Sequence, residues 1–303
     1  MTSFVLDTVS LSPARLTNVT LEIGCGTTAI LGPSGAGKSS LLSILAGYLK
    51  PTSGSFSGAA SVFWVPQDGG LWAGLTVAEH LGAVTNNTKE IGATLAGLDL
   101  DRYENRPPEK LSRGQQARLA VARALLSDAM ALVMDEPLAH VDPVRQRGYW
   151  DVIREAIKKR DRTLVFATHE PGFALAEANN AICLKDGSVL CHRKTHDLYW
   201  RPHSAEEAQF LGPVNWLDTV DVERWMRMSC SHEAPCFRPE QIIIAPAEGN
   251  DRNSAKVAAV QFYGTHEAVT LQHAEDGELR TFWHRPARPT LAEGMDVSVE
   301  TIV

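Results

Sequence analysis

Gly32-Pro33-Ser34-Gly35-Ala36-Gly37-Lys38-Ser39 matches the pattern G-x-x-x-x-G-K-[ST], with the apolar run TTAIL (27–31) before it and the helical run SLLSILAG (40–47) after it. A strand that ends in glycines and opens a helix makes a trap for phosphate. Glycines let the backbone wrap close enough for successive N–H groups to point inward, and the helix N-terminus adds a favourable dipole potential. In such a loop Lys38 is placed to hold β and γ phosphates as a point charge, and the Ser39 hydroxyl to coordinate magnesium. Ser40 completes the candidate phosphate-binding set.

Working outward, a phosphate trap needs a metal anchor and an activator of water. The apolar run ALVM (131–134) ends in Asp135-Glu136-Pro137, which brings two acids out at a strand tip. Asp135 suits the magnesium shell and Glu136 suits a general base. Upstream, Leu111-Ser112-Arg113-Gly114-Gln115 opens a helix expected over 115–127, with Ser112 placed to cap it beside free backbone N–H groups. That is a second expected anion site. Further strands are expected at SVFWVP (61–66) and TLVFAT (163–168), and helices from 38 to about 49 and over 143–160. Residues 18–31 read as a strand pair broken by Gly24-Cys25-Gly26. Strand and helix alternating in this way predict an α/β fold with a parallel sheet.

Composition narrows the classes. The 303 residues are 44% hydrophobic and 21% charged, an ordinary globular balance. Lysine plus arginine number 29 against 36 acids, and the net charge of −7 supplies no global field for nucleic acid. The longest nearly apolar stretch, 41–49, is about half of what a bilayer span requires. MTSFVLDTVS lacks the basic and apolar regions of a secretory signal, so a cytoplasmic location is expected. Five scattered cysteines without a CxxC pair do not suggest a disulfide framework, and Cys230, His232 and Cys236 lack a fourth metal ligand.

In their order and spacing, the phosphate loop, LSRGQ and the acidic pair resemble the ATP-binding cassette ATPases, whose LSGGQ element lies between two Walker motifs. The resemblance covers residues 1 to about 212 and implies a P-loop NTPase (RecA-like) core with a helical subdomain at about 68–127. ATP and Mg²⁺ are the implied ligands. Gln67 in VPQD resembles the glutamine-loop residue that touches magnesium or water and senses a transmembrane partner. His169 in ATHE resembles the switch histidine, and Asp142 in PLAHVD resembles the aspartate that closes the D-loop across a dimer.

The family geometry pairs Ser112, Gly114 and Gln115 of one copy with ATP held by another. A second nucleotide-binding subunit, in the simplest case a homodimer, is therefore implied. So are transmembrane permease subunits, an extracytoplasmic solute-binding protein and a position on the inner face of the membrane, with no nucleic-acid partner. Trp72, in the loop after Gln67, either lines the groove for the permease or packs internally.

Three departures stand out. Arg113 replaces the first glycine of the signature, and Ala139 and His140 replace the usual serine and alanine of the D-loop. The segment VSLSPARL, where the family places an aromatic to stack on adenine, holds none, and Phe4 reads as a core strand residue.

After Phe210-Leu211-Gly212-Pro213 the texture changes to short runs such as FRPEQIIIAP, KVAAVQFYG, EAVTLQ and ELRTFW, which predict a small all-β domain over 213–303. Phe210-Leu211-Gly212, Asn215 and Arg238-Pro239-Glu240 resemble the elements that introduce the OB-like regulatory and dimerisation domain of importer ATPases for ferric iron, polyamines and sugars. The implied function is ATP hydrolysis powering solute import, with ferric iron or a polyamine as solute. A soluble cassette ATPase acting on nucleic acid or ribosomes is the alternative, disfavoured by the acidic charge and the single cassette.

Overall fold

The computed structural model describes residues 2–13, 15–226, 236–247, 254–286 and 290–302. The chain separates into two compact units, Met1–His196 and Asp197–Val303.

The first unit carries two sheets. Strands β1 (Thr2–Leu11), β2 (Leu16–Gly24) and β4 (Ser53–Ser57) form an antiparallel sheet in the order β2-β1-β4. Along β2 buried and exposed residues nearly alternate, as a strand with one wet face requires. The other sheet has the order β5-β6-β7-β3-β8-β9, built from β3 (Thr27–Leu31), β5 (Val62–Val65), β6 (Ala131–Asp135), β7 (Thr163–Ala167), β8 (Asn180–Lys185) and β9 (Ser188–Lys194). All neighbours in it are parallel except the β8–β9 pair. Strands β6 and β7 are buried at every residue, which explains why ALVMD and TLVFA read as continuous apolar runs. The expected pair at 18–31 is two consecutive strands in different sheets, since β2 turns away from β3 at the Gly24-Cys25-Gly26 corner.

Helix α1 (Lys38–Leu45) leaves the phosphate loop and buries Leu41, Leu42, Ile44 and Leu45 in the core; it ends earlier than the expected 49. Helices α2 (Val77–Gly82), α3 (Thr88–Gly97) and α4 (Arg113–Leu126) occupy the stretch expected to be a helical subdomain. Helix α5 (Pro143–Lys159) connects β6 to β7, and α6 (Pro171–Glu177) connects β7 to β8. Among the described residues no helix is long and apolar enough to cross a membrane.

Helix α7 (Thr195–Trp200) spans the boundary between the units. The second unit then holds α8 (Ala205–Gln209), the two-stranded pair β10 (Asn215–Trp216) and β11 (Cys236–Phe237), and α9 (Thr219–Trp225). Its main sheet is antiparallel, in the order β12-β16-β13-β14-β15. These strands are β12 (Ile242–Pro246), β13 (Ala255–Phe262), β14 (Glu267–His273), β15 (Leu279–His284) and β16 (Asp296–Thr301).

The contacts divide the chain earlier than the change of texture at 213 suggests, and Arg238 supplies the physical reason. Its side chain is fully buried, donating from Nε to the Tyr199 carbonyl at 3.0 Å and from Nη1 to the carbonyls of Ala208, Gly212 and Pro213 at 3.1, 3.3 and 3.2 Å. Its guanidinium lies 4.1 Å from the centre of the Tyr199 ring, so the stretch before 213 is bound into the second unit. Cys230 and His232 lie outside the described residues.

Candidate active site

Parallel strands share one carboxyl edge, and in open α/β sheets ligands bind outside that edge. The four adjacent strands β5, β6, β7 and β3 end here in Gln67, in Asp135 and Glu136, in His169, and in the phosphate loop respectively. Residues scattered over a hundred positions of sequence are thereby brought to one edge by strand order alone.

The loop is as tight as its glycines imply. A Cβ on Gly32 would lie 2.6 Å from the Leu184 carbonyl oxygen, and one on Gly37 2.6 Å from that of Arg15. Gly35 and Gly37 adopt φ of +83° and +102°, the left-handed region that glycine enters without cost. Ala36 packs into the core beneath. Lys38 Nζ donates to the carbonyls of Gly32 at 2.7 Å and Pro33 at 3.0 Å, which holds the ammonium at the loop.

A concavity of about 380 Å³ opens over the loop, lined by Ser34, Gly35, Gly37, Lys38, Ser39, Ser40, Gln67, Asp135, Glu136 and Arg15. A second, larger cleft of about 1000 Å³ shares Ser39, Gln67, Asp135 and Glu136 with it and adds Tyr48, Arg113 and His140. Asp135 is only 5% exposed. Burial pushes its carboxyl above the usual carboxylate range; a hydrogen bond from Ser39 and the charge of Lys38 pull it down, while Glu136 adds to the rise. Ser39, Gln67 and Asp135 offer a hydroxyl, an amide and a carboxylate, the hard oxygen donors that a small divalent cation prefers. Among the described residues no group of three or more His, Cys, Asp or Glu is placed to hold a metal, so cation binding here needs oxygens from the ligand as well.

Glu136 has φ +49°, a strained conformation for a side chain of this size. Its Oε1 lies 3.0 Å from Nδ1 of His169, across the β6–β7 pair. The carboxylate is 17% exposed and lines both concavities, whereas the imidazole is 60% exposed and lines neither.

Other expected residues are not brought to this concavity. Ser112 caps α4, accepting from the Gln115 N–H at 3.3 Å, while Gln115 Oε1 accepts from the Ser112 N–H at 2.8 Å; the two side chains form a reciprocal capping box. Gly114 sits against the loop before α5, where a Cβ would lie 2.6 Å from the His140 carbonyl oxygen. Asp142 caps α5, accepting from the Val144 N–H at 2.8 Å.

Trp72 is 45% exposed, with the Arg123 guanidinium 4.1 Å from one ring centre and the His80 ring stacked at 5.5 Å. His80 is fully buried, and burial holds its imidazole below the usual value. Its Nδ1 lies 2.8 Å from the Thr76 carbonyl and its Nε2 accepts the Trp72 N–H at 3.0 Å, an arrangement that fits the neutral ring. Sequence reasoning missed Arg15 as a lining residue. Its signal was a lone cation in the short connection between β1 and β2.

Comparison with known proteins agrees with this geometry. A family model described as ABC transporter matches residues 16–139. The Fe(3+) ions import ATP-binding protein FbpC of Brucella abortus (strain 2308) is 31% identical, over 87% of this chain and 85% of its own. The protein of that name from Serratia marcescens is 29% identical, over 90% of both chains. The thiamine import ATP-binding protein ThiQ of Photobacterium profundum is 32% identical, over 61% of this chain and 84% of its own. A solved structure of a dimeric bacterial ABC transporter cassette is 27% identical, with a TM-score of 0.57, covering 63% of this chain and 98% of that one. The chain belongs to the ATP-binding cassette transporter ATPases.

Proposed function

We propose that this chain is the ATP-hydrolysing subunit of a solute importer, working from the inner face of the membrane on a separate permease. The observation that carries the reading is the convergence of Lys38, Ser39, Gln67, Asp135, Glu136 and His169 at one carboxyl edge of the sheet. Likeness to importer subunits over nearly the whole chain, second unit included, supports the import direction.

The loop N–H groups and Lys38 hold the β and γ phosphates of ATP, with Ser34, Gly35 and Gly37 shaping the cradle. Ser39, Gln67 and Asp135 would hold Mg²⁺, which when bound neutralises phosphate charge. Glu136 orients the attacking water and accepts its proton on the carboxylate; His169 holds that carboxylate through the 3.0 Å contact and faces the γ-phosphate.

Ser112, Gly114, Gln115 and Asp142 complete the site of a second copy. Ser112, Gln115 and Asp142 are engaged in local helix caps, Gly114 packs against the loop before α5, and none of the four lines its own phosphate concavity. Two copies close on two ATP and reopen after hydrolysis, and that cycle drives the permease; an extracytoplasmic protein delivers the solute. Ferric iron, named for two of the relatives, is the favoured solute.

The test is affinity capture of the full chain from gently solubilised membranes of its own organism, with partners identified by mass spectrometry. A polytopic permease among them supports the reading. Ribosomal or nucleic-acid partners alone would overturn it.

A further inference from the structure

Glu136 presents its carboxylate from a backbone position at φ +49°, a conformation that persists only where the surroundings over-determine it. The stretch that carries it, 136–142, forms no helix or strand. Two tight turns run through it, closed by the Ala139 N–H on the Glu136 carbonyl and by the Val141 N–H on the Leu138 carbonyl, each at 3.1 Å.

A side chain from the next element ties these turns down. Gln146, in the first turn of α5, is 3% exposed, and its Nε2 donates to the carbonyls of Leu138 at 2.8 Å and Val141 at 3.3 Å. Its own N–H donates to the Asp142 carbonyl at 3.0 Å, so the helix fixes the base from which the amide reaches back. The two ends of that amide are used unequally: the donor is engaged twice, while Oε1 is buried without a hydrogen-bond partner. Gln146 also lines, with Glu136 and His169, a cavity of about 20 Å³ walled by Trp150, Phe166 and Phe173. Beside such apolar walls a loop carbonyl that lost the amide would find no ready replacement.

We propose that Gln146 is a positioning residue for hydrolysis: by holding the Leu138 and Val141 carbonyls it keeps Glu136 in its strained conformation, with the carboxylate in the phosphate concavity and 3.0 Å from His169. The inference rests on Glu136 being the base.

The experiment is phosphate release from ATP by the full chain with Mg²⁺, read as kcat and KM separately, in a double-mutant cycle with Glu136→Gln. Gln146→Met keeps the length of the side chain and removes the donor; Gln146→Asn keeps the amide and falls one methylene short. Each should lower kcat by about 10- to 100-fold with KM for ATP within about twofold of the parent. In the Glu136→Gln chain the added Gln146→Met should cost no more than about twofold, because the group that it positions is already gone. Rates are taken per mole of bound imidotriphosphate analogue of ATP, so that unfolded chain does not pass for slow chain, and Gln146→Asn carries the same cycle if Gln146→Met does not fold.

A parental kcat in the variants would overturn the proposal. So would a loss that multiplies in full onto Glu136→Gln, which marks a general structural role, or a raised KM with kcat unchanged. Failure of the underlying reading looks different: Glu136→Gln by itself releases phosphate at the parental rate.

Discussion

Asp135 in the first unit and Arg238 in the second are both charged side chains withdrawn from water, at 5% and 0% exposure. Burial works against both charges, and the two differ in how much of the fold meets them. Arg238 has its charge largely answered from within, by four backbone carbonyls and the face of Tyr199, although its Nη2 finds no hydrogen-bond partner and burial pulls its pKa below the usual value. Asp135 has burial working against it, with Glu136 adjacent and only the Ser39 hydrogen bond and the Lys38 charge in its favour. A buried charge that the fold satisfies is architecture, whereas one that the fold leaves under-compensated in a cleft marks a place prepared for a ligand of opposite sign.

The largest effect expected on the functional side of this contrast is at Glu136. Glu136→Gln should lower the rate of phosphate release by about 10²–10⁴, with nucleotide affinity within about threefold of the parent. A parental rate in that variant would remove Glu136 from the role of base.

On the architectural side, Arg238→Met removes the donor from four backbone carbonyls, that of Ala208 buried and the others half-buried. The second unit should lose about 3 kcal/mol of stability by denaturant unfolding, with nucleotide binding by the first unit retained. If the unfolding midpoint stays put, the carbonyls are satisfied without the guanidinium and the contrast fails on that side.

A smaller loss is expected at Gly114, where an added methyl meets the His140 carbonyl oxygen. Gly114→Ala should cost about 1–3 kcal/mol, read as a lowered midpoint of the first unit.

Asp135 gives the subtlest response, and it runs the other way. Burial raises its folded pKa, so the unfolded chain ionises first as pH rises. Between the two values the folded state holds the extra proton, and stability falls with rising pH from about 4 upward until the folded carboxyl has ionised. Asp135→Asn escapes this penalty, so at neutral pH it should melt above the parent without Mg²⁺ and show a smaller rise than the parent when Mg²⁺ and nucleotide are added. A lower Tm than the parent would mean that Asp135 is a satisfied structural charge like Arg238.

The two regions also differ in how far their sequences speak. The phosphate loop, Asp135-Glu136 and Ser112 are local patterns whose chemistry follows from spacing, and the buried strands TTAIL, ALVMD and TLVFA carry their own continuous apolar signature. Strand order was less accessible. Nothing local says that β2 and β3 part company, or that β7 lies between β3 and β6 and so sets His169 beside Glu136. In the second unit nothing local in Arg238-Pro239-Glu240 shows what Arg238 does, because the carbonyls that it binds come from residues up to 39 positions away. Helix α9 and strand β16 went unread, both short, and β16 pairs between β12 and β13. Arg15 was hidden for a similar reason: its importance comes from the turn that seats it on Gly37.

The central claim is that the residues absent from the phosphate concavity serve a second copy. Sedimentation velocity of the Glu136→Gln chain, with and without ATP and Mg²⁺, tests it most directly. The account predicts a monomer that becomes a dimer when ATP is added, and that stays monomeric with ATP when Ser112 is replaced by arginine. A chain that binds ATP and remains a monomer at all concentrations would contradict it.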